Sequence, residues 1–168
     1  VLATVRSGRG AIVCVPDNRD LKHWNDAFTE VLGPGGHVIL SAAQKPAERY
    51  RSFLNLSRGD ARVVLGTRAA AFAPVAKLGL VAMFDDGDDL FVEPRAPYPH
   101  AREVLLTRVV REGCGLLLGG YARSVEAQAL VERGWCSDLT AEPVTRRRVW
   151  PTLEAVDSDD GAPARLPR

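Results

Sequence analysis

The sequence predicts an α/β fold, a doubly wound and mostly parallel sheet with helices on both faces. Three observations carry this expectation. Short unbroken apolar runs recur along the chain, most of them ending in Pro, Gly or Asp, as strands buried on both faces of a parallel sheet do. Between them lie longer stretches with helical apolar spacing and recognisable start and stop signals. The 168 residues are 46% hydrophobic and 26% charged, enough to bury one core of ordinary domain size.

Taken in order, Val1-Leu2-Ala3-Thr4-Val5-Arg6 reads as the last turns of an amphipathic helix, with chain expected before it. Ala11-Ile12-Val13-Cys14-Val15-Pro16 is the first strand. Asp17 or Asn18 can cap a helix running to about Leu32, with Leu21, Trp24, Phe28, Val31 and Leu32 on one face, and Gly33-Pro34-Gly35-Gly36 stops it. His37 to Ser41 is a second buried strand, residues 46 to 57 a helix, and Arg58-Gly59-Asp60 turns the chain into the strand Ala61 to Gly66. A strand near Leu80 to Phe84, a helix from about Pro99 to Arg111, a strand Gly115 to Leu118 and a helix from about Ser124 to Arg133 follow. This alternation implies right-handed crossovers and functional loops at the carboxyl ends of the strands. From about Trp135 the pattern loosens. Residues 1 to 134 are therefore read as one lobe and 135 to 168 as linker and edge elements, with Asp157 to Arg168 a linker. Arg146-Arg147-Arg148-Val149-Trp150 is expected to be an edge strand with Val149 and Trp150 packed inward; its alternative is a charged, stacking contact to DNA.

Composition removes several function classes. Lys plus Arg number 22 against 21 Asp plus Glu, so no polybasic field announces nucleic acid and any such site must be local. Cys14, Cys114 and Cys136 lie far apart without zinc spacing, which predicts inert thiols in a reducing compartment. No run approaches the roughly 18 to 20 apolar residues that span a bilayer. A cytoplasmic protein without a membrane partner is the expectation. His23, His37 and His100 are scattered and suit surface or capping roles, and no serine sits in a Gly-x-Ser-x-Gly elbow.

Three strand ends hold candidate chemistry and should open on one rim. Gly66-Thr67-Arg68 can bring backbone N–H groups, a hydroxyl and a guanidinium to a phosphate, or form a plain tight turn. Asp85-Asp86-Gly87-Asp88-Asp89 has the charge for a metal or a general base, yet Phe84 occupies the strand-end position and can neither coordinate a cation nor take a proton. The third is Gly119-Gly120-Tyr121-Ala122-Arg123-Ser124.

The segment Ala61 to Pro74 resembles the superfamily 2 helicase motif VVxGTRSAxFxP of the PriA family and runs on into Leu78-Gly79-Leu80 as that family does. Glu48-Arg49-Tyr50-Arg51 is similar to its ERYRxW segment with Phe53 near the usual Trp, Pro97 to Glu103 to PRYHARD, and Gly119 to Glu126 to GSATPSLE. The blocks keep the family order and cover about residues 10 to 134. The resemblance implies the first RecA-like motor lobe, with the phosphate-binding Gly-x-x-x-x-Gly-Lys-Thr loop ahead of Val1 and the family's zinc module outside the chain.

Departures from the family pattern fall on its ATPase motifs. The second motif, DEEHD, aligns with Phe84-Asp85-Asp86-Gly87-Asp88, so Phe84 stands where the magnesium-binding Asp belongs and Asp85 where the catalytic Glu belongs. Ser-Ala-Thr-Pro has become Gly120-Tyr121-Ala122-Arg123, so the coupling positions Gly119, Gly120 and Tyr121 lack the hydroxyls. The pattern looks like that of ATPase-degenerate PriA-like proteins of actinobacteria. The resemblance thus implies a replication-restart primosome protein that binds forked or single-stranded DNA and replisome-loading partners without hydrolysing ATP. It has no catalytic residues and no metal, with Phe84, Asp85, Asp86 and Asp88 vestigial. Gly66, Thr67 and Arg68 are its expected DNA contacts, with Ser41, Arg49 and Arg51 behind them. No cofactor is expected in this chain; ATP and magnesium belong to it only if the upstream loop is intact. Two other readings stay open, an active ATP-dependent 3′→5′ helicase with unusual motifs and an unrelated small-molecule-binding domain that uses the Asp85 to Asp89 loop.

Overall fold

The computed structural model describes residues 1–95, 97 and 99–151. The chain divides into two compact units, Val1–Trp135 and Cys136–Arg168.

The first unit is built on five strands, β1 (Gly10–Cys14), β2 (Val38–Leu40), β3 (Val63–Gly66), β4 (Leu78–Phe84) and β5 (Gly115–Gly119). All neighbours pair in parallel in the order β2-β3-β1-β4-β5. Ile12 at the centre is in register with Val64 on one side and Val81 on the other. Every residue of β1 and β3 is buried, which explains why these strands read as continuous apolar runs rather than as an alternation.

Side chains that alternate along the strands feed two cores. Ile12, Cys14, Val64, Val81 and Met83 pack in one cluster with Leu56 and Leu105, contributed by helices α3 (Pro46–Arg58) and α4 (Ala101–Glu112). Val13, Val15, Leu65 and Ala82 form the other with Leu21, Trp24 and Phe28 of α2 (Asn18–Leu32). The sheet is thus covered on both faces, as the period of two in the strands requires. A short helix α1 (Leu2–Arg6) precedes β1, and α5 (Val125–Glu132) follows β5. β5 is an edge strand with alternating exposure.

Local signals account for the helix ends. Asp17 accepts the N–H groups of Arg19 and Asp20 at the start of α2, and Gly59 and Gly113 close α3 and α4 in the left-handed conformation. His100 caps α4 through Nδ1, which accepts the N–H of Arg102 at 3.0 Å, so one of the three scattered histidines is a cap as expected. Burial pushes the Cys14 thiol up to about 12, the behaviour of an inert core residue.

Two expectations are corrected. Val31 is 59% exposed and lies off the buried face of α2, because packing uses the narrower stripe of Leu21, Trp24 and Phe28. Arg146 to Val149 belong to a helix, α6 (Pro143–Val149) in the second unit, not to an edge strand. Val149 and Trp150 are 76% and 64% exposed rather than packed inward. Pro143 in the first turn presets the helical φ, and one turn later the Arg146 guanidinium lies over the Trp150 ring at 5.7 Å. Ala96, Tyr98 and the tail from 152 onward, including the expected linker Asp157 to Arg168, lie outside the described residues.

Candidate functional site

Because all five strands run the same way, the segments after their carboxyl ends meet on one rim. Ser41 follows β2, Thr67 and Arg68 follow β3, Asp17 follows β1, Asp85 follows β4, and Gly120 and Tyr121 follow β5. The rim residues named from the sequence are therefore assembled, and their side chains do different work.

On the β4 side the acidic run is committed to structure. Phe84 sits in an aromatic cluster, its ring tilted against Trp24 at 5.4 Å and edge-to-face with Tyr121 at 5.6 Å between centroids. Asp86 is 4% exposed. Its Oδ2 lies 3.0 Å from Arg102 and accepts the Ser124 hydroxyl at 2.6 Å, while its own carbonyl accepts a second Arg102 bond at 3.1 Å. Arg102, itself 5% exposed, reaches Glu103 and Glu126 as well. Asp88 caps the 3-10 turn Asp89–Phe91 by accepting the N–H of Leu90. Asp85 has a positive φ of 54°, sparsely populated for a residue other than Gly, and its N–H bonds to the Gly119 carbonyl at 2.6 Å. A Cβ on Gly120 would stand 3.3 Å from the Asp85 backbone, so the turns after β4 and β5 are in close contact.

This donor set does not fit a magnesium ion beside a nucleotide phosphate. The strand ends in a phenylalanine packed against Trp24 and Tyr121, and the carboxylate of Asp86 is occupied by a guanidinium and a hydroxyl. Among the described residues, no group of three or more His, Cys, Asp and Glu side chains is placed to hold a metal ion.

On the β3 side the close fit is steric. A Cβ at Gly66 would lie 2.0 Å from the Leu40 carbonyl oxygen and 2.8 Å from Ala70, so only Gly lets β2 and β3 approach and the following turn pack. Thr67 donates its N–H to the Leu40 carbonyl, and its hydroxyl makes no hydrogen bond among the described residues. The Arg68 guanidinium lies 2.7 Å from Glu93 and also donates to the Val92 carbonyl, tying the turn after β3 to the loop after β4. Ser41 is buried, with its hydroxyl donating to Asn18 and accepting from the Ala43 N–H. Arg49 and Arg51 are exposed on α3 and form no ion pair among the described residues.

Charge divides the rim. Asp20 has its carboxyl pushed up, first by burial and then by Asp17, with Asp85 and Asp88 acting in the same direction against Arg19. Four carboxylates thus share the β1–β4 side. The rim end of α3 carries Lys45, Arg49 and Arg51 against Glu48 alone. A polyanion is repelled from the first region and attracted to the second.

Sequence reasoning missed two features here. Arg102 entered it only as a letter in a motif, although its spacing from Leu105 on α4 puts both on the buried face. Tyr50 and Phe53, three apart on α3, flank a groove with Phe72 that the aromatic-plus-basic composition of residues 49 to 53 could have flagged.

No protein-family model matches the chain. Among individual proteins it is 47% identical over 164 residues to the probable replication restart protein PriA of Mycobacterium tuberculosis, an alignment covering 98% of this chain and 25% of that protein. The replication restart protein PriA of Treponema pallidum is 37% identical over 160 residues, covering 92% and 23%. That of Bacillus subtilis is 26% identical over 150 residues, covering 89% and 18%. The chain therefore spans about a quarter of the length of the mycobacterial relative. Among solved structures, the C-terminal domain of S. cerevisiae Dbp5 in complex with Gle1 superposes with a TM-score of 0.50 at 16% identity, over 81% of this chain and 78% of that one. This likeness shows the fold alone, an α/β domain built on a parallel sheet. The extent and level of the sequence identity, together with the rim blocks after β3, β4 and β5, establish that the chain belongs to the family of PriA replication restart proteins.

Proposed function

We propose that this chain serves replication restart as a DNA-holding motor lobe that does not hydrolyse ATP. Phe84 is the observation that carries the reading. Phosphoryl transfer rests on positioning and on charge neutralisation by a metal, and the strand-end carboxylate that would hold the metal is replaced by a ring packed between Trp24 and Tyr121. Losing one such ligand costs several kcal/mol of transition-state stabilisation, on the order of a thousandfold in rate. Asp86, the next carboxylate but one, is a structural ion-pair partner. Binding is the role that remains for the rim, and the basic α3 side supports it.

In this reading the whole protein holds forked or single-stranded DNA and the proteins that load the replisome, and it works in the cytoplasm. Among the described residues no helix is long and apolar enough to cross a membrane. Gly66, Thr67, Arg68, Ser41, Arg49 and Arg51 are the DNA-contact candidates. Arg49 and Arg51 present guanidinium groups without an ion-pair partner among the described residues, and Arg68 would exchange Glu93 for a phosphate. Gly66 and Ser41 shape the turns.

Two measurements on the intact protein test this. Phosphate release from ATP, with and without forked DNA, should stay at background, and turnover that disappears in Asp85→Ala would overturn the ATPase half. In a salt titration of DNA affinity, Arg51→Ala should weaken binding evenly across sequences and reduce the salt slope by about one. An unchanged slope counts against the DNA half.

A further inference from the structure

We propose that the groove between α3 and the turn after β3 is a base-stacking site for a single strand of nucleic acid, with Arg49 on its phosphate. The proposal rests on the DNA-holding role above and adds to it a direct grip on the bases, beyond the charge of the rim.

Three aromatic side chains stand beside this groove of about 420 Å³, lined by Arg49, Tyr50 and Phe53 from α3 and by Ala69 and Phe72 from the turn after β3. Its size lies within the range of small-molecule clefts, about 300 to 1,000 Å³. Tyr50, Phe53 and Phe72 are 65%, 43% and 59% exposed. Among the described residues none of the three is stacked on another ring. Elsewhere in the first unit the aromatic rings of Trp24, Phe28, Phe84 and Phe91 are paired with other rings. Open aromatic faces gathered on one exposed surface mark an interaction site.

The charge around the groove selects the occupant. Arg49 lines it without an ion-pair partner among the described residues, and Lys45 immediately before the same helix adds a second cation against Glu48. An apolar peptide segment would satisfy the rings and leave the Arg49 guanidinium unanswered. A single strand satisfies both, because every base offers a π face and every nucleotide brings a negative phosphate. The groove also sits where Thr67 opens the turn that carries Ala69 and Phe72, its hydroxyl making no hydrogen bond among the described residues. A duplex is the poorer occupant, since its bases are already stacked on one another.

The test compares two fluorescent probes on the intact chain, an oligothymidylate of about ten nucleotides and an abasic oligomer of equal length and charge. Tyr50→Ala with Phe72→Ala should weaken oligothymidylate binding roughly five- to hundredfold and leave the abasic probe unchanged, because stacking acts through the base alone. Tyr50→Phe should bind like the parent. Arg49→Gln should weaken both probes alike and reduce the salt slope of both. All of these residues are exposed, and thermal melting checks that each variant folds. Equal weakening of both probes by the double aromatic variant, or no weakening of either, overturns the stacking site and leaves the DNA-holding role standing. Unchanged affinities with a lowered melting temperature would instead assign the groove to a covering protein segment, which also overturns it. Failure of the parent chain to bind either probe removes the DNA-holding role with it.

Discussion

Arg102→Met should destabilise the first unit by about 3–5 kcal/mol, the usual effect of leaving a charge buried without its partner. The magnitude follows from the surroundings of Asp86. The two side chains are 6% and 5% exposed, and their 3.0 Å contact is accompanied by a second bond from the same guanidinium nitrogen to the Asp86 carbonyl. Without Arg102 the carboxylate keeps only the Ser124 hydroxyl. The ion pairs of Arg102 with Glu103 and Glu126 add little, because those carboxylates are 57% and 59% exposed and screened by water. Against a total stability of about 5–15 kcal/mol for a domain, the loss should be plain in urea unfolding followed by tryptophan fluorescence at neutral pH. Removing the stranded charge as well, in Asp86→Leu with Arg102→Met, should recover part of the loss. A loss under about 1 kcal/mol for the single variant, or a double variant worse than the sum of the singles, would refute the claim that this ion pair locks the loop after β4 to the starts of α4 and α5.

Two further outcomes follow from the same structure. Gly66→Ala places a Cβ 2.0 Å from the Leu40 carbonyl oxygen, which is backbone and cannot turn aside, so it should destabilise by about 3 kcal/mol or more in thermal or urea unfolding; a near-neutral result would mean that β2 and β3 can separate at little cost. Stability should also fall on acidification. The imidazole of His100 is held below its ordinary value of 6.5, first by burial and then by Arg102, against the opposing pull of Glu103, Glu126 and Asp86, and burial likewise lowers that of His37. A depressed histidine favours folding fully above 6.5, and that contribution is lost as pH falls from 6.5 through the folded value. The melting temperature should therefore drop between about pH 7.5 and about pH 5.5, and His100→Asn, which keeps a capping acceptor, should flatten part of the slope. An unchanged slope would show that the cap does not titrate.

Much of the fold is legible in the residues themselves. Ala11 to Val15 and Val63 to Leu65 are unbroken apolar runs that suit only strands covered on both sides, and Asp17, Gly59 and Gly113 mark helix ends by local chemistry. The segment around Arg146 misled because an apolar pair after three arginines suits an edge strand as well as a short helix. Pro143 and the Arg146–Trp150 contact favour the helix.

Of the rim, the sequence by itself determined the roster: which strand ends carry Gly66, Thr67 and Arg68, that Phe84 rather than an acidic residue ends β4, and which segments resemble the PriA motifs. Tertiary structure alone decided what each side chain is for. Asp86 and Asp85 are adjacent and chemically alike, yet one is buried against Arg102, 16 residues away, and Ser124, 38 away, while the other takes a left-handed turn at the surface. Arg68 and Arg49 carry the same charge, yet Glu93 occupies the first and the second stands open beside Tyr50 and Phe72. The reason is physical. Secondary structure follows from neighbours within a few residues, whereas a side chain's partner is set by whichever distant segment the sheet order brings beside it.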